Sequence, residues 1–282
     1  MKRNKIIPVL LLLLAILVSG CGKKDRLPPV YSNLNDPGIR HDLDALLQAA
    51  GVSDRQRNQF FDSVEDFNAV MEPQWLTQGF QPVGESLWDP YAVQDAWTAA
   101  YPDFLGYNCR ITSYSLFAPS FLRQQEEETT PNTELLEFDL SALQEDPSAF
   151  PGQERQFLRF FGAVPTEDTQ DVEIHQEKLR EYWKNWGLSF VPSERISMIN
   201  VVMHMQEGER NTLYVGHSGI LLPTPDGDLW FVEKLAFQQP YQVVQFADRQ
   251  QLQDYLMEKY DLDENQPTAR PFIMENDQML KP

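Results

Sequence analysis

The sequence has little cysteine and is short of basic residues. Its 282 residues contain 2 cysteines, and 23 Lys and Arg stand against 42 Asp and Glu, for a formal net charge of −19. Two cysteines cannot form a disulfide framework, so packing must hold the fold together. A polyanion also lacks the clustered basic residues that bind phosphate backbones, which argues against a nucleic-acid partner.

Metal-ligand spacing is missing as well. The 4 histidines are scattered, and neither a helical His pair nor a CxxC motif occurs. We therefore expect no metal site and no cofactor. With 42% hydrophobic and 12% aromatic residues, the chain can bury a substantial core, which excludes wholesale disorder.

The first twenty residues are typical of an export signal. Lys2, Arg3 and Lys5 form a basic start, and residues 6–18 form an apolar run that is too short for a comfortable membrane span. Small residues follow this run. The pattern predicts a signal peptide at residues 1–20 and a protein that works outside the cytosol.

The end of that segment resembles a bacterial lipobox, with the sequence Val18-Ser19-Gly20-Cys21. The resemblance implies cleavage before Cys21 and attachment of diacylglyceryl to its thiol; the alternative is an ordinary signal peptide with a chance cysteine. Acyl chains anchor a protein by about 0.8 kcal/mol per buried methylene. We expect a lipoprotein on the outer face of the cell membrane, with residues 21–34 as a tether and residues 35–282 as one domain.

Helical signals dominate residues 35–190. Asp36-Pro37 and Asp89-Pro90 fit an N-cap followed by proline, and Ser53 with Gln56 fits a capping box. A later stripe ends at Gly187. Apolar and aromatic residues recur at helical spacing at Ile39, Leu43, Leu46, Leu47, Phe60, Val64, Phe67, Val93, Trp97, Ala100, Val172, His175, Leu179, Trp183 and Trp186.

The pattern changes to strands in residues 191–282. We predict strands at 196–205, 212–222, 229–235, 241–246 and 272–274, with a hairpin turn at Asp226-Gly227 and a helix around Tyr255. Helices followed by an antiparallel meander define an α+β fold.

Cys109 is the first candidate catalytic residue. It precedes a short helical segment that we expect Pro119 to end, so the thiol should feel the positive end of a helix dipole. That position favours thiolate, and the helix N–H groups could form half of an oxyanion hole. The alternative is a buried, inert cysteine.

His217 is the second candidate, because Gly216 and Gly219 flank it on a predicted strand. Glycines in a strand often mark the close approach of another backbone or a ligand. An imidazole there could take the thiol proton and later protonate a leaving amine. His41, His175 and His204 have neighbourhoods typical of surface or packing residues.

Glu233 is the third candidate, a carboxylate in an apolar strand that needs a partner. That partner is His217, or else Lys234 or an arginine. A two-residue turn would put Glu233 off the face of His217 by one residue, and a bulge or wider loop over 223–228 would correct this. Gln238, Gln239 and Gln242 are the alternatives for orienting the imidazole.

Cysteine before a helix, histidine on a strand and a polar residue on the next strand is the order found in papain-like cysteine peptidases. The sequence around His217 is similar to the histidine strand of NlpC-type peptidases, which cleave cell-wall peptides. The similar stretch is Val215-Gly216-His217-Ser218-Gly219-Ile220-Leu221. The resemblance implies a papain-like (NlpC-type) architecture with Cys109 as nucleophile, His217 as general base and acid, and Glu233 orienting His217.

Further roles follow from that resemblance. The backbone N–H of Cys109, helped by Asn108 or Tyr107, would bind the oxyanion, and Arg110 would help to shape the substrate groove. The expected partners are the membrane, through Cys21, and a cell-wall peptide substrate.

Most of the chain also resembles a bacterial lipoprotein family of unknown function (domain of unknown function 4300), to which no activity is assigned. The stretches that carry this resemblance are Tyr31-Ser32-Asn33-Leu34, Asn108-Cys109-Arg110-Ile111-Thr112, Phe231-Val232-Glu233-Lys234-Leu235-Ala236-Phe237 and Arg270-Pro271-Phe272-Ile273-Met274-Glu275-Asn276. Asn108-Cys109-Arg110 stands where NlpC-type enzymes usually have Asp-Cys-Ser. A catalytically inactive binding or scaffolding lipoprotein of the cell envelope is therefore the rival hypothesis.

Overall fold

The computed structural model describes residues 27–84, 87–125, 131–263 and 265–282. The predicted signal peptide, Cys21 and the first residues of the predicted tether, 22–26, lie outside these residues, so the structure does not bear on them. Among the helices of the described ranges, none combines the length and the apolar character needed to cross a membrane.

The described part of the chain contains helices and an antiparallel sheet, and is α+β as predicted. The α-helices are α1 (Pro37–Ala50), α2 (Asp54–Val70), α3 (Pro90–Ala100), α4 (Cys109–Phe121), α5 (Glu137–Glu145), α6 (Glu154–Phe161), α7 (Val172–Asn185) and α8 (Arg249–Tyr260). The strands are β1 (Val30–Ser32), β2 (Gln81–Pro82), β3 (Leu122–Arg123), β4 (Val164–Pro165), β5 (Ser189–Phe190), β6 (Ser197–Glu207), β7 (Arg210–Pro223), β8 (Leu229–Lys234), β9 (Tyr241–Phe246), β10 (Phe272–Glu275) and β11 (Gln278–Met279).

The main sheet has the strand order β11-β10-β6-β7-β8-β9-β1-β2, and β4 pairs with β7. β6 to β9 form the predicted meander at its centre. Helix α4 packs against β7 and β8, and α2 packs against α4. Because α4 lies between the sheet and another helix, it is buried on most sides, and its first residue enters the core next to the meander.

The predicted capping residues start their helices. Asp36 and Asp89 accept hydrogen bonds from the first turns of α1 and α3, and Ser53 and Gln56 form both bonds of a capping box. Gly187 follows α7 with a φ of +62°, a value that favours glycine.

The expectation that Pro119 ends its helix was wrong, because α4 continues through Pro119 to Phe121. Proline lacks the N–H that would bond the carbonyl oxygen of Ser115, four residues earlier. Gln56 Nε2 on α2 donates to that oxygen at 3.1 Å, and to the carbonyl oxygen of Leu116 at 2.9 Å. A neighbouring helix thus supplies the donor that proline removes.

The structure also contains strands and helices that were not predicted, among them β1, α5 and α6. Val30–Ser32, predicted as the end of a tether, forms β1 and pairs with β9, and Leu34 is fully buried. Helices α5 and α6 had no counterpart in the predicted helices. Their short lengths leave few periodic positions from which to recognise them.

Candidate active site

Cys109 is the first residue of α4. Asn108 caps this helix, since its Oδ1 accepts from the backbone N–H of Ile111 at 3.0 Å. The backbone N–H groups of the first helical turn have no partner within the helix and point toward its N-terminal end. The thiol therefore lies at the positive end of the α4 dipole.

The glycines beside His217 allow close approach of neighbouring chains. The pairing of β6 with β7 shifts between Val201, opposite His217, and Val202, opposite Val215, which leaves Gly216 as a bulge. A Cβ at Gly219 would lie 2.4 Å from the ring of Phe231. The strand thus bends at Gly216 and lies tightly against β8 at Gly219.

A five-residue loop corrects the spacing between His217 and Glu233. Pro223 pairs with Leu229, which places Glu233 opposite Gly219, two residues from His217 and on the same face of the sheet. The two side chains meet, with His217 Nε2 2.5 Å from Glu233 Oε2. Nδ1 is the ring nitrogen that remains for the sulfur.

Cys109 and His217 lie close enough to shift each other's pKa. Burial opposes the thiolate, but the charge and hydrogen bond of His217, the charge of Arg110 and the backbone N–H of Ser218 outweigh it and lower the pKa of Cys109. The group is enclosed, because Cys109 is 7% and His217 1% exposed.

The imidazole and the carboxylate favour their charged forms. Burial alone would lower the pKa of His217, yet the charges and hydrogen bonds of Cys109 and Glu233 raise it to about 9. Burial would raise the pKa of Glu233, but Lys259, His217 and Tyr255 lower it to about 2. The three groups therefore form a buried row in which the imidazole lies between the thiol and the carboxylate.

The second oxygen of Glu233 is also satisfied. Oε1 accepts from Gln242 Nε2 at 2.7 Å and from the hydroxyl of Tyr255 at 2.6 Å. Lys234, one of the alternative partners, donates instead to the carbonyl oxygens of Phe237 and Gln239. Of the three glutamines considered for orienting His217, Gln242 touches Glu233 rather than the imidazole.

The remaining predicted site residues lie around the start of α4. Asp139 binds both neighbours of the thiol: it accepts from Asn108 Nδ2 at 2.8 Å and from Arg110 Nε at 3.0 Å. Arg110 Nη1 also donates to the carbonyl oxygen of Val215 at 3.0 Å. The hydroxyl of Tyr107 lies 3.3 Å from the carbonyl oxygen of Asp146, so it is engaged with the segment that follows α5.

Several residues at the site were not predicted from the sequence. Asp139 lies in a helix that was missed, and nothing in its neighbourhood distinguishes it from the other acidic residues. Ser218 was included in the histidine strand without a role, although its backbone N–H is one of the groups that lower the pKa of Cys109. Tyr255 and Lys259 carry a usable signal, because residues four apart on a helix share a face.

Two other histidines form a separate buried pair. The rings of His175 and His204 lie 4.4 Å apart between centroids. His204 Nδ1 accepts from the backbone N–H of Ala269 at 3.0 Å, and its Nε2 lies 2.9 Å from Asn211 Oδ1. Across the described ranges, no group of His, Cys, Asp and Glu side chains is arranged to hold a metal ion.

Comparison with known proteins identifies a family without an assigned activity. A family model described as Domain of unknown function (DUF4300) matches residues 30–280, which covers almost all of the described chain. No curated protein and no solved structure gives a significant match. The match begins at β1 and ends after β11, so it includes the whole sheet and the site. The chain therefore belongs to the DUF4300 family.

Proposed function

We propose that the protein is a lipoprotein, anchored through Cys21 to the outer face of the cell membrane, that acts as a papain-like cysteine hydrolase. Its substrate would be an amide bond in cell-wall peptides. The observation that carries the proposal is the row formed by Cys109, His217 and Glu233, in which the imidazole bonds the carboxylate and interacts electrostatically with the thiol.

The row supports a two-step hydrolysis. The Cys109 thiolate attacks the amide carbonyl carbon; the C–N bond then breaks, and the departing amine takes its proton from His217 Nδ1. A water molecule next attacks the thioester and gives a proton back to His217, which releases the acid and restores the thiolate. Glu233 stays ionised throughout and holds the ring in orientation.

The start of α4 supplies the electrophilic part of such a site. A tetrahedral intermediate places negative charge on the former carbonyl oxygen, and donors fixed beforehand stabilise that charge most. The backbone N–H of Cys109 is the first donor, because it belongs to the unpaired first turn of the helix. Asn108 Nδ2 donates one of its two N–H groups to Asp139, and the other is the side-chain donor that it offers to the oxyanion.

An aromatic groove near the start of α4 supports a peptide substrate. Its volume is about 670 Å³, and its lining includes Trp97, Tyr101, Phe104, Leu105, Phe138 and Phe237. Leu105 precedes Cys109 by four residues, and Phe138 is adjacent to Asp139, which binds both neighbours of the thiol. The groove lies beside the site, and Cys109, His217 and Glu233 are not among the residues that line it.

The choice of cell-wall peptide rests on the lipobox-like sequence at Cys21 and on the resemblance of the His217 strand to NlpC-type peptidases. The test compares the purified wild-type protein with Cys109→Ala on cell-wall digests, following new amino groups and product masses. We expect release of amines by the wild type and none by the variant. Equal cleavage by both proteins overturns the proposal, and matching thermal melts show that the variant is folded.

A second candidate is a binding or scaffolding lipoprotein with an inactive site, which the 7% exposure of Cys109 favours. The dependence of the iodoacetamide alkylation rate on pH separates the two. The hydrolase requires alkylation that persists below neutral pH, because the thiol is ionised there. A rate that falls below about pH 8.5, as for a free thiol, supports the scaffold.

A further inference from the structure

Helix α8 forms the far wall of the site. It presents Tyr255 to the oxygen of Glu233 that does not face His217, and Lys259, one helical turn further on, to the hydroxyl of Tyr255. The next residue, Tyr260, stacks on the imidazole of His217 with 5.1 Å between ring centroids. One helix therefore contacts both the carboxylate and the imidazole.

The hydroxyl of Tyr255 has every bonding position filled in a defined direction. It donates to Glu233 Oε1 at 2.6 Å, and accepts from Lys259 Nζ at 2.5 Å and from Gln242 Nε2 at 3.0 Å. Burial and the nearby charge of Glu233 raise the pKa of Tyr255 well above its usual value, so it stays an O–H donor. The hydroxyl of Tyr255 thus links the ammonium group of Lys259 to the carboxylate of Glu233 through two hydrogen bonds in series.

Lys259 is the cation on this side of Glu233. The other titratable groups that face the carboxylate are His217 on β7, Tyr255 and Tyr260 on α8, and Cys109 on α4 through the imidazole. Lys259 also lines a cavity of about 170 Å³ together with Tyr255 and Gln242. Space beside it lets the ammonium group keep part of its hydration while its charge acts on the buried carboxylate.

We propose that Tyr255 and Lys259 are positioning residues of the site: they keep Glu233 ionised, which keeps His217 protonated and Cys109 a thiolate. This inference rests on the proposed function, and it assigns control of the charge state of the site to helix α8. A buried carboxylate without a nearby cation takes up a proton more readily. Once Glu233 is neutral, the imidazolium loses its counter-charge and the thiolate is no longer favoured.

The experiment measures the rate of alkylation of Cys109 by iodoacetamide from pH 4 to 9 in the full-length protein. For Lys259→Met we expect the acid-side loss of rate to move to higher pH by about one unit, roughly a tenfold lower rate on that limb. Lys259→Arg retains the charge and should restore the wild-type profile. Lys178→Met removes a lysine that pairs with Glu167 on the surface, and should leave the profile unchanged.

Tyr255→Phe provides a second route to the same result if Lys259→Met does not fold. It removes the hydroxyl that joins Lys259 to Glu233, so the acid limb should move in the same direction. Profiles of both variants that coincide with a wild-type profile extending below neutral pH overturn this inference and leave the proposed function standing. A wild-type profile that falls near pH 8.5 overturns the proposed function itself.

Discussion

His217 and His204 lie on neighbouring strands of one sheet, and both are buried, yet their surroundings favour opposite charge states. His217 is held between a thiol and a carboxylate, which raise its pKa to about 9. His204 is held by an amide oxygen and a backbone N–H, and burial together with the charge of His175 lowers its pKa.

The difference shows that burial alone does not decide the charge of a histidine. Desolvation disfavours the imidazolium at both positions, and only an anionic partner overcomes it. At His204, the N–H of Ala269 occupies Nδ1, so a second proton would break that bond. The region around His204 therefore serves as a built-in reference for a neutral, structural histidine.

The largest effect is expected when the anionic partner of His217 is removed. Glu233→Gln keeps the shape of the side chain but removes its charge, so the pKa of His217 should fall and hydrolysis should decrease by about 100-fold. The measurement is amine release from cell-wall digests. His204→Gln, at the reference site, should hydrolyse at the wild-type rate. Equal rates for Glu233→Gln and wild type would remove the distinction between the two histidines.

A smaller effect is expected from crowding the His217 strand. A Cβ at Gly219 would lie 2.4 Å from the Phe231 ring and 2.8 Å from the carbonyl oxygen of Val232, so Gly219→Ala should destabilise the protein by about 1–3 kcal/mol. The three atoms nearest to a Cβ at Gly216 all belong to the flexible side chain of Met203, so Gly216→Ala should have the smaller effect. Urea titration measures both, and the reverse order would contradict the tight packing described at Gly219.

The smallest effect is the opposite pH dependence of stability at the two histidines. The pKa of His217 in the folded protein is above the usual 6.5. Its contribution to the free energy of unfolding is therefore complete below pH 6.5 and is lost as pH rises through about 9. The folded pKa of His204 is below that value, so its contribution is present above pH 6.5 and is lost on acidification.

Thermal melts at pH 5, 7 and 9 test this pair of signs. His204→Gln should reduce the drop in Tm between pH 7 and pH 5 by roughly 2 °C, and Glu233→Gln should flatten the change between pH 7 and pH 9. If His204→Gln altered the alkaline side instead, the assignment of a neutral His204 would be wrong.

The fold class, the three helices with predicted N-caps and the order of the meander were predictable because each depends on local signals. Asp36, Ser53 and Asp89 cap their helices through residues only two or three positions away. The passage of α4 through Pro119 was not predictable, because Gln56, on another helix, supplies the missing donor. β1 was missed because three residues carry no periodicity, and its partner β9 is remote in sequence.

The individual residues of the candidate site were predictable from their local sequence, but their contact was not. A thiol before a helix, a histidine between glycines and a carboxylate in an apolar strand each stand out locally. Their contact depends on the register of β7 with β8, which the loop after Pro223 sets. Asp139, Tyr255 and Lys259 contact the site from α5 and α8. The positions of these two helices against the site are not specified by any local sequence pattern.

The pairing of β1 with β9 has a consequence for how the molecule assembles. Tyr31 lies opposite Val244, so β1 can pair with β9 only after more than two hundred further residues have been synthesised. Closing so long a segment is entropically unfavourable, and pairings of this range form slowly. Until β1 pairs with β9, the outer edge of β9 has unpaired backbone N–H and C=O groups that can bond a strand of another molecule. Docking of β1 therefore protects the edge of β9 as soon as that strand has formed.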